Sequence, residues 1–109
     1  MNETKMRGLM GLCVRAGQGI FGEDSCLKAL RSGQIGLLLL DGSISPTAGE
    51  KYASLCRREE IPCERLPEGL MAQATGKPGK AMAVRKGSFT EQMLQCLESD
   101  RAEDSKNRF

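Results

Sequence analysis

The chain has 109 residues, of which 39% are hydrophobic, and this size suits one domain with a single core. Its formal charge is +2 at pH 7, a mildly basic balance that permits nucleic-acid binding without requiring it. No hydrophobic run is long enough to cross a membrane, and the first residues lack a signal-peptide pattern. We therefore expect a cytoplasmic protein with no membrane partner.

The cysteine and histidine content limits metal and redox chemistry. Five cysteines are scattered without a C-x-x-C pair, and the chain has no histidine: Cys13, Cys26, Cys56, Cys63 and Cys96. We expect reduced, partly buried thiols that act as small apolar residues. A thiol nucleophile is the alternative, but no histidine is present to activate it. We expect no metal, no cofactor and no catalysis, because scattered carboxylates alone form neither a nucleophile–base pair nor a metal cluster.

The first half of the chain predicts three helices and a buried strand. Apolar residues at helical spacing indicate a first helix over about 4–15. A short extended segment and a glycine turn lead to a second helix over about 23–32. The apolar run at 35–40 is typical of a strand buried on both faces. Ser45 as a helix cap, followed by Pro46, then opens a third helix.

The second half contains shorter elements. They are a strand at about 61–66, a helix at 68–75, a loop at 77–80 and a strand at 81–84. Ser88 and Glu91 form a capping-box pattern that opens the last helix. Residues 98–109 are charged and almost free of apolar side chains, which predicts a disordered tail after a domain at 1–97.

Helices and strands alternate along the whole chain, and this alternation favours an α/β fold. We predict a three-layer α/β/α sandwich around a small mixed sheet of four strands. Within that sheet, we expect most strand pairings to be parallel.

A glycine pattern suggests a dinucleotide site but does not meet its requirements. Gly17, Gly19 and Gly22 match G-x-G-x-x-G, and Asp41 follows at a suitable distance. The fingerprint needs a strand that runs into the first glycine, whereas residues 6–14 have helical periodicity. The chain is also too short for a complete doubly wound domain. We predict that the pattern binds no dinucleotide.

Two polar segments can be explained with or without a ligand. Glu23 and Asp24 complement the dipole of the second helix, but they could also accept hydrogen bonds from base amino groups. Lys28 lies one turn beyond Asp24 on the same exposed face, and the two residues form either a solvated pair or part of an RNA surface. The same choice, plain turn or RNA contact, applies to the segment Thr75, Gly76, Lys77, Pro78, Gly79 and Lys80.

The order of these segments resembles the kink-turn-binding superfamily of ribosomal protein L-seven-Ae, and most closely its short bacterial YlxQ-like members. The resemblance covers residues about 5–97. It rests on LCVRAG at 12–17, GED at 22–24, LKALRSG at 27–33, the leucine strand, IP at 61–62, ATGK at 74–77 and GSF at 87–89.

The resemblance implies a protein that binds structured RNA, either ribosomal RNA or another ribosome-associated RNA, with ribosome or ribonucleoprotein partners. In that superfamily, the segment after the glycine turn approaches tandem sheared G·A pairs in bent RNA. Carried over by position, this first surface is Gly22, Glu23, Asp24 and Lys28. A second surface, which packs over an extruded nucleotide, is Thr75, Gly76, Lys77, Pro78, Gly79 and Lys80.

Two departures from the strict kink-turn readers affect the expected affinity. Those proteins have Asn-Glu where this chain has Asp24 and Ser25, and an apolar loop where it has Lys-Pro-Gly-Lys. We therefore expect weak binding to a standard kink-turn. The alternative is a protein–protein interaction module that has kept the fold and lost the RNA site. The acidic residues after the glycine turn favour that module, whereas the lysine-glycine loop favours RNA.

Overall fold

The computed structural model describes the backbone of residues 1–107 and the side chains of residues 1–98. Its elements are α1 (Glu3–Arg15), β1 (Gly19–Phe21), α2 (Glu23–Arg31), β2 (Ile35–Asp41), α3 (Pro46–Glu59), β3 (Cys63–Leu66), α4 (Leu70–Thr75), β4 (Ala81–Arg85) and α5 (Ser88–Asn107). The helices and strands predicted from the sequence are all present. No helix in the described part of the chain is long and apolar enough to span a membrane.

The four strands form one mixed sheet in the order β1-β4-β2-β3. β2 pairs with β3 in parallel, whereas β4 is antiparallel to both β1 and β2. The mixed four-stranded sheet is thus confirmed, but the expected predominance of parallel pairings is wrong. Helix α4 has six residues and spans only about 9 Å, too short to return the chain along the sheet. β4 therefore starts at Ala81, opposite Leu40 near the end of β2, and runs back.

Helices cover both faces of this sheet, which confirms the three-layer sandwich. Side chains of α1, α4 and α5 pack with Leu37 and Leu39 of β2 on one face. Side chains of α2 and α3 pack with Leu38 and Leu40 on the other. β2 is consequently buried on both sides, as its continuous leucine run predicts.

The three glycines of the dinucleotide-like pattern serve turns and packing. Gly17 follows the last turn of α1 with a φ of +70°, so a helix lies where the fingerprint requires a strand. Gly19 packs against β4, since a Cβ there would lie 2.7 Å from the Met82 side chain. Gly22 caps α2 with a φ of +91°.

Helix α5 differs in detail from the predicted capping box. The helix includes Ser88, whose Oγ accepts a hydrogen bond of 2.9 Å from the Gln92 side chain. The backbone N–H of Glu91 donates to the Gly87 carbonyl instead. The α5 backbone continues to Asn107, over residues for which the sequence predicts disorder. Residues 108–109 and the side chains from 99 onward lie outside the described part, and the disordered tail stays a prediction.

Candidate nucleic-acid interface

The two predicted RNA surfaces meet at one groove. This primary groove has a volume of about 270 Å³. Gly22 and Glu23 of the first surface line it, together with Gly79 and Lys80 of the second. Its remaining lining consists of Ile44, Ser45, Ala48, Tyr52 and Ala81. The fold thus brings together segments that lie almost 60 residues apart in the chain.

The other predicted site residues lie outside the groove lining. Asp24 and Lys28 are exposed on α2 beyond Glu23. Thr75, Gly76, Lys77 and Pro78 form the end of α4 and the loop that leads to the groove. The Thr75 hydroxyl donates to the Met71 carbonyl at 2.8 Å and accepts from the Lys77 N–H at 3.1 Å. Thr75 therefore shapes this loop.

The edge of the groove at α2 depends on backbone geometry. Gly22 has φ +91° and ψ 142° and makes no side-chain cap, so the chain turns sharply into α2. The first turn of a helix has backbone N–H groups without intrahelical partners. Cys26 anchors this turn, because its thiol lies 3.3 Å from the Ile20 carbonyl oxygen of β1.

An ion pair crosses from α2 to α3 at the rim of the groove. Lys51 Nζ lies 3.0 Å from Glu23 Oε1, and both side chains are more than half exposed. One acceptor position of the Glu23 carboxylate is therefore occupied. Lys51 is not among the residues predicted from the sequence, since no local pattern relates it to Glu23.

Asp41 connects the segments that form the groove. Its carboxylate accepts hydrogen bonds from the Ser43 N–H at 2.9 Å, from the Ser43 hydroxyl, and from the Gly69 N–H at 3.0 Å. Its own N–H donates to the Lys80 carbonyl at 2.8 Å. Burial alone would raise the pKa of Asp41, but these hydrogen bonds and the charge of Lys80 outweigh it, and the pKa is lowered. Asp41 thus holds both the turn after β2 and the loop before β4.

Tyr52 forms an aromatic part of the groove lining. It lies on α3 and is 4% exposed. Burial, together with the negative charges of Glu23 and Asp24, raises the pKa of Tyr52 to about 12. The phenol is therefore neutral at physiological pH. The helical spacing of Tyr52, Leu55 and Cys56 indicates a buried face of α3 and contains no signal for the groove.

All five cysteines have free thiols, and four of them are buried. Burial raises the pKa of Cys13 to about 11, and it also raises the pKa of Cys26. Because the thiolate is the nucleophilic form, these two residues have little nucleophilic character at neutral pH.

The fold is shared with solved structures. It matches a protein of unknown function from Bacillus halodurans with a TM-score of 0.80 and 25% identity, covering 86% of this chain and 97% of that one. It also matches a 15.5 kDa RNA-binding protein of Giardia lamblia with a TM-score of 0.73 and 12% identity, covering 91% and 90% of the two chains. The chain therefore shares its fold with both of these proteins.

Sequence comparison gives a more specific resemblance. No protein-family model matches the chain. The chain is 26% identical over 98 residues to the RNA-binding protein YlxQ of Enterococcus faecium, covering 89% of this chain and 95% of that protein. It is 25% identical over 92 residues to YlxQ of Bacillus subtilis, covering 83% and 92%. The predicted resemblance to short bacterial YlxQ-like proteins is confirmed.

Proposed function

We propose that this protein binds structured RNA in the cytoplasm, without catalysis, and that an unpaired nucleotide of the RNA enters the primary groove. The observation that carries the proposal is the meeting of Gly22 and Glu23 with Gly79 and Lys80 around one groove. The similarity to proteins named as RNA-binding supports it. The RNA that we propose is ribosomal or ribosome-associated, with a bent, kink-turn-like element.

The lining of the groove suits a nucleobase. Unpaired RNA bases are commonly recognised by stacking on aromatic side chains and by hydrogen bonds to their edges. Tyr52 is 4% exposed and offers too little ring surface for stacking, so with Ile44 and Ala48 it forms the apolar floor of the groove, while Glu23 and Ser45 supply polar atoms at the rim. An ionised carboxylate only accepts hydrogen bonds, so Glu23 favours a base edge that presents an amino group. Lys80 offers a positive charge to the adjoining phosphate.

A charge-removal experiment tests the electrostatic part of the proposal. Lys28→Ala and Lys77→Ala should each weaken RNA binding and lower the salt slope by about one. Lys5→Ala is the matched control, because Lys5 is exposed on α1, a helix that contributes no residue to either predicted RNA surface. Equal binding by all three variants and the parent would contradict the role of these lysines.

Blocking the groove tests the nucleotide site itself. Ala48 lies at the third position of α3, after the cap Ser45, so Ala48→Glu introduces a capping-box pair that favours the helix. The same substitution places a bulky negative group in the groove. Ala53→Glu, on the same helix but outside the groove lining, is the control. We expect Ala48→Glu, but not Ala53→Glu, to lose RNA affinity, measured by fluorescence anisotropy. A parent protein that binds no cellular RNA would instead favour the protein-interaction module.

A further inference from the structure

We propose a second RNA contact, in which a groove between α2 and α3 holds phosphates of the RNA strand that leaves the primary groove. This inference rests on the proposed function. The second groove has a volume of about 230 Å³ and contains three cationic side chains, Arg31, Lys51 and Arg58. The rest of its lining is Leu27, Ser54 and Leu55, so no acidic residue contributes to it.

The two arginines of this groove are available to a ligand, whereas Lys51 is paired with Glu23 at 3.0 Å. Lys51 and Arg58 have side chains that are 55% and 67% exposed. Among the ion pairs of residues 1–98, Arg58 has one long contact, with 3.9 Å between its Nε and Glu59 Oε1. Among the ion pairs of the described residues, none includes Arg31. A guanidinium group can bind a phosphate through two parallel hydrogen bonds, which suits Arg31 and Arg58 to a phosphodiester backbone.

The apolar part of the groove is already covered. Leu55 is 7% exposed, and Leu27 is half-buried against the core between α2 and α3. An apolar helix of a partner protein would therefore find little hydrophobic surface here. The exposed groups are cations, and a polyanion is the ligand that complements them.

The two grooves are connected through one ion pair. Lys51 lines the second groove, and its Nζ contacts Glu23 of the primary groove at 3.0 Å. On α2, Lys28 and Arg31 are three residues apart and so lie on neighbouring positions of one helix surface. An RNA strand that leaves the primary groove past Glu23 therefore meets Lys51 first and then the two arginines.

The test removes two positive charges from the second groove. Arg31→Gln/Arg58→Gln should weaken binding of a structured RNA about tenfold or more and reduce the salt slope by about 1.5. The matched control is Arg57→Gln/Arg85→Gln, which removes the same charge outside both grooves. Arg57 is on the same helix as Arg58 and is likewise exposed, and it forms a short ion pair of 2.7 Å with Glu50. Thermal melts establish that all variants are folded.

A short oligonucleotide distinguishes the two sites. An RNA that is only long enough to fill the primary groove should bind the parent and Arg31→Gln/Arg58→Gln equally well. If the groove variant and its control bind the long RNA equally, the second contact is wrong while the primary groove stands. If Ala48→Glu also leaves RNA binding unchanged, the nucleotide site in the primary groove is wrong as well, whereas a parent protein that binds no RNA overturns the proposed function itself. If Arg31→Gln/Arg58→Gln loses binding to an acidic polypeptide but binds the long RNA as the parent does, the ligand of the second groove is a protein and the phosphate site is wrong.

Discussion

Lys51 of α3 donates a hydrogen bond of 3.0 Å to Glu23 of α2, although 28 residues separate them in the chain. The pair joins two helices at the point where the primary and second grooves adjoin. Because both side chains are largely exposed, water and salt weaken their attraction. The pair places the Glu23 carboxylate beside Lys51 at the rim and contributes little to stability.

A double-mutant cycle on this pair should give a small coupling energy. Using Glu23→Gln and Lys51→Met, we expect about 0.2–1 kcal/mol in the free energy of unfolding at low salt. The coupling should decrease as the salt concentration rises, because exposed charges are screened. Urea unfolding of the four proteins at two salt concentrations measures it. A salt-independent coupling well above this range would show that the pair is more strongly desolvated than its exposure indicates.

Gly22→Ala should destabilise the protein through its backbone. A Cβ at Gly22 would meet only the Ser25 side chain, at 4.0 Å, so packing is not the obstacle. The φ of +91° is the obstacle, since L-residues with side chains rarely adopt it, and the cost is about 1–3 kcal/mol. We also expect weaker RNA binding, because α2 begins here.

Gly8→Ala is the control for that prediction. Gly8 lies within α1 and is exposed, and a Cβ there would meet no atom within 4 Å. Replacing a helical glycine by alanine should stabilise the fold by about 0.5–1 kcal/mol. Chemical denaturation should therefore show shifts of opposite sign for the two substitutions. A neutral Gly22→Ala would mean that the turn can adopt another conformation.

Asp41 should make stability depend on pH in the acidic range. Its pKa is lower in the folded protein than in the unfolded chain. The ionised carboxylate therefore stabilises the fold above about pH 4, and this contribution is lost as the pH falls further. Asp41→Asn should lose about 1–3 kcal/mol at pH 7, because an amide cannot accept all of the same hydrogen bonds.

The free energy of unfolding should also change less between pH 5 and pH 2.5 in Asp41→Asn than in the parent, because the variant has no carboxylate at position 41 to protonate. Asp24→Asn, at an exposed position outside this hydrogen-bond network, is the control. Urea unfolding across the pH range provides the measurement. If Asp41→Asn retains the parent's acid sensitivity, other carboxylates are responsible for it.

Restoring two side chains should improve recognition of a kink-turn. Asp24 cannot donate as an asparagine amide does, and Ser25 is too short to reach a guanine edge as glutamate would. Each two-point base contact contributes about 1–3 kcal/mol, so Asp24→Asn/Ser25→Glu should tighten binding roughly 10²-fold. The comparison uses a kink-turn and an unkinked duplex at one ionic strength. Nanomolar binding by the parent protein would contradict the weak affinity that we expect.

Local sequence patterns determined the elements of this fold. Helical spacing in α1, the leucine run of β2 and the cap Ser45 each act within one segment, and each predicts its structure correctly. Gly22 predicts a turn because glycine, which has no Cβ, readily adopts the positive φ that such a turn requires. Family resemblance then identified four residues of the groove lining, Gly22, Glu23, Gly79 and Lys80.

The tertiary structure decided the sheet direction and the composition of the grooves. β4 is antiparallel because α4 is too short to return the chain along the sheet. The alternation of helices and strands in the sequence does not indicate whether a connecting helix is long enough to do so. Lys51, Tyr52 and Arg58 face α2 only because α3 packs beside it on the same face of the sheet. These contacts join distant segments, and their geometry follows from packing rather than from any local spacing of residues.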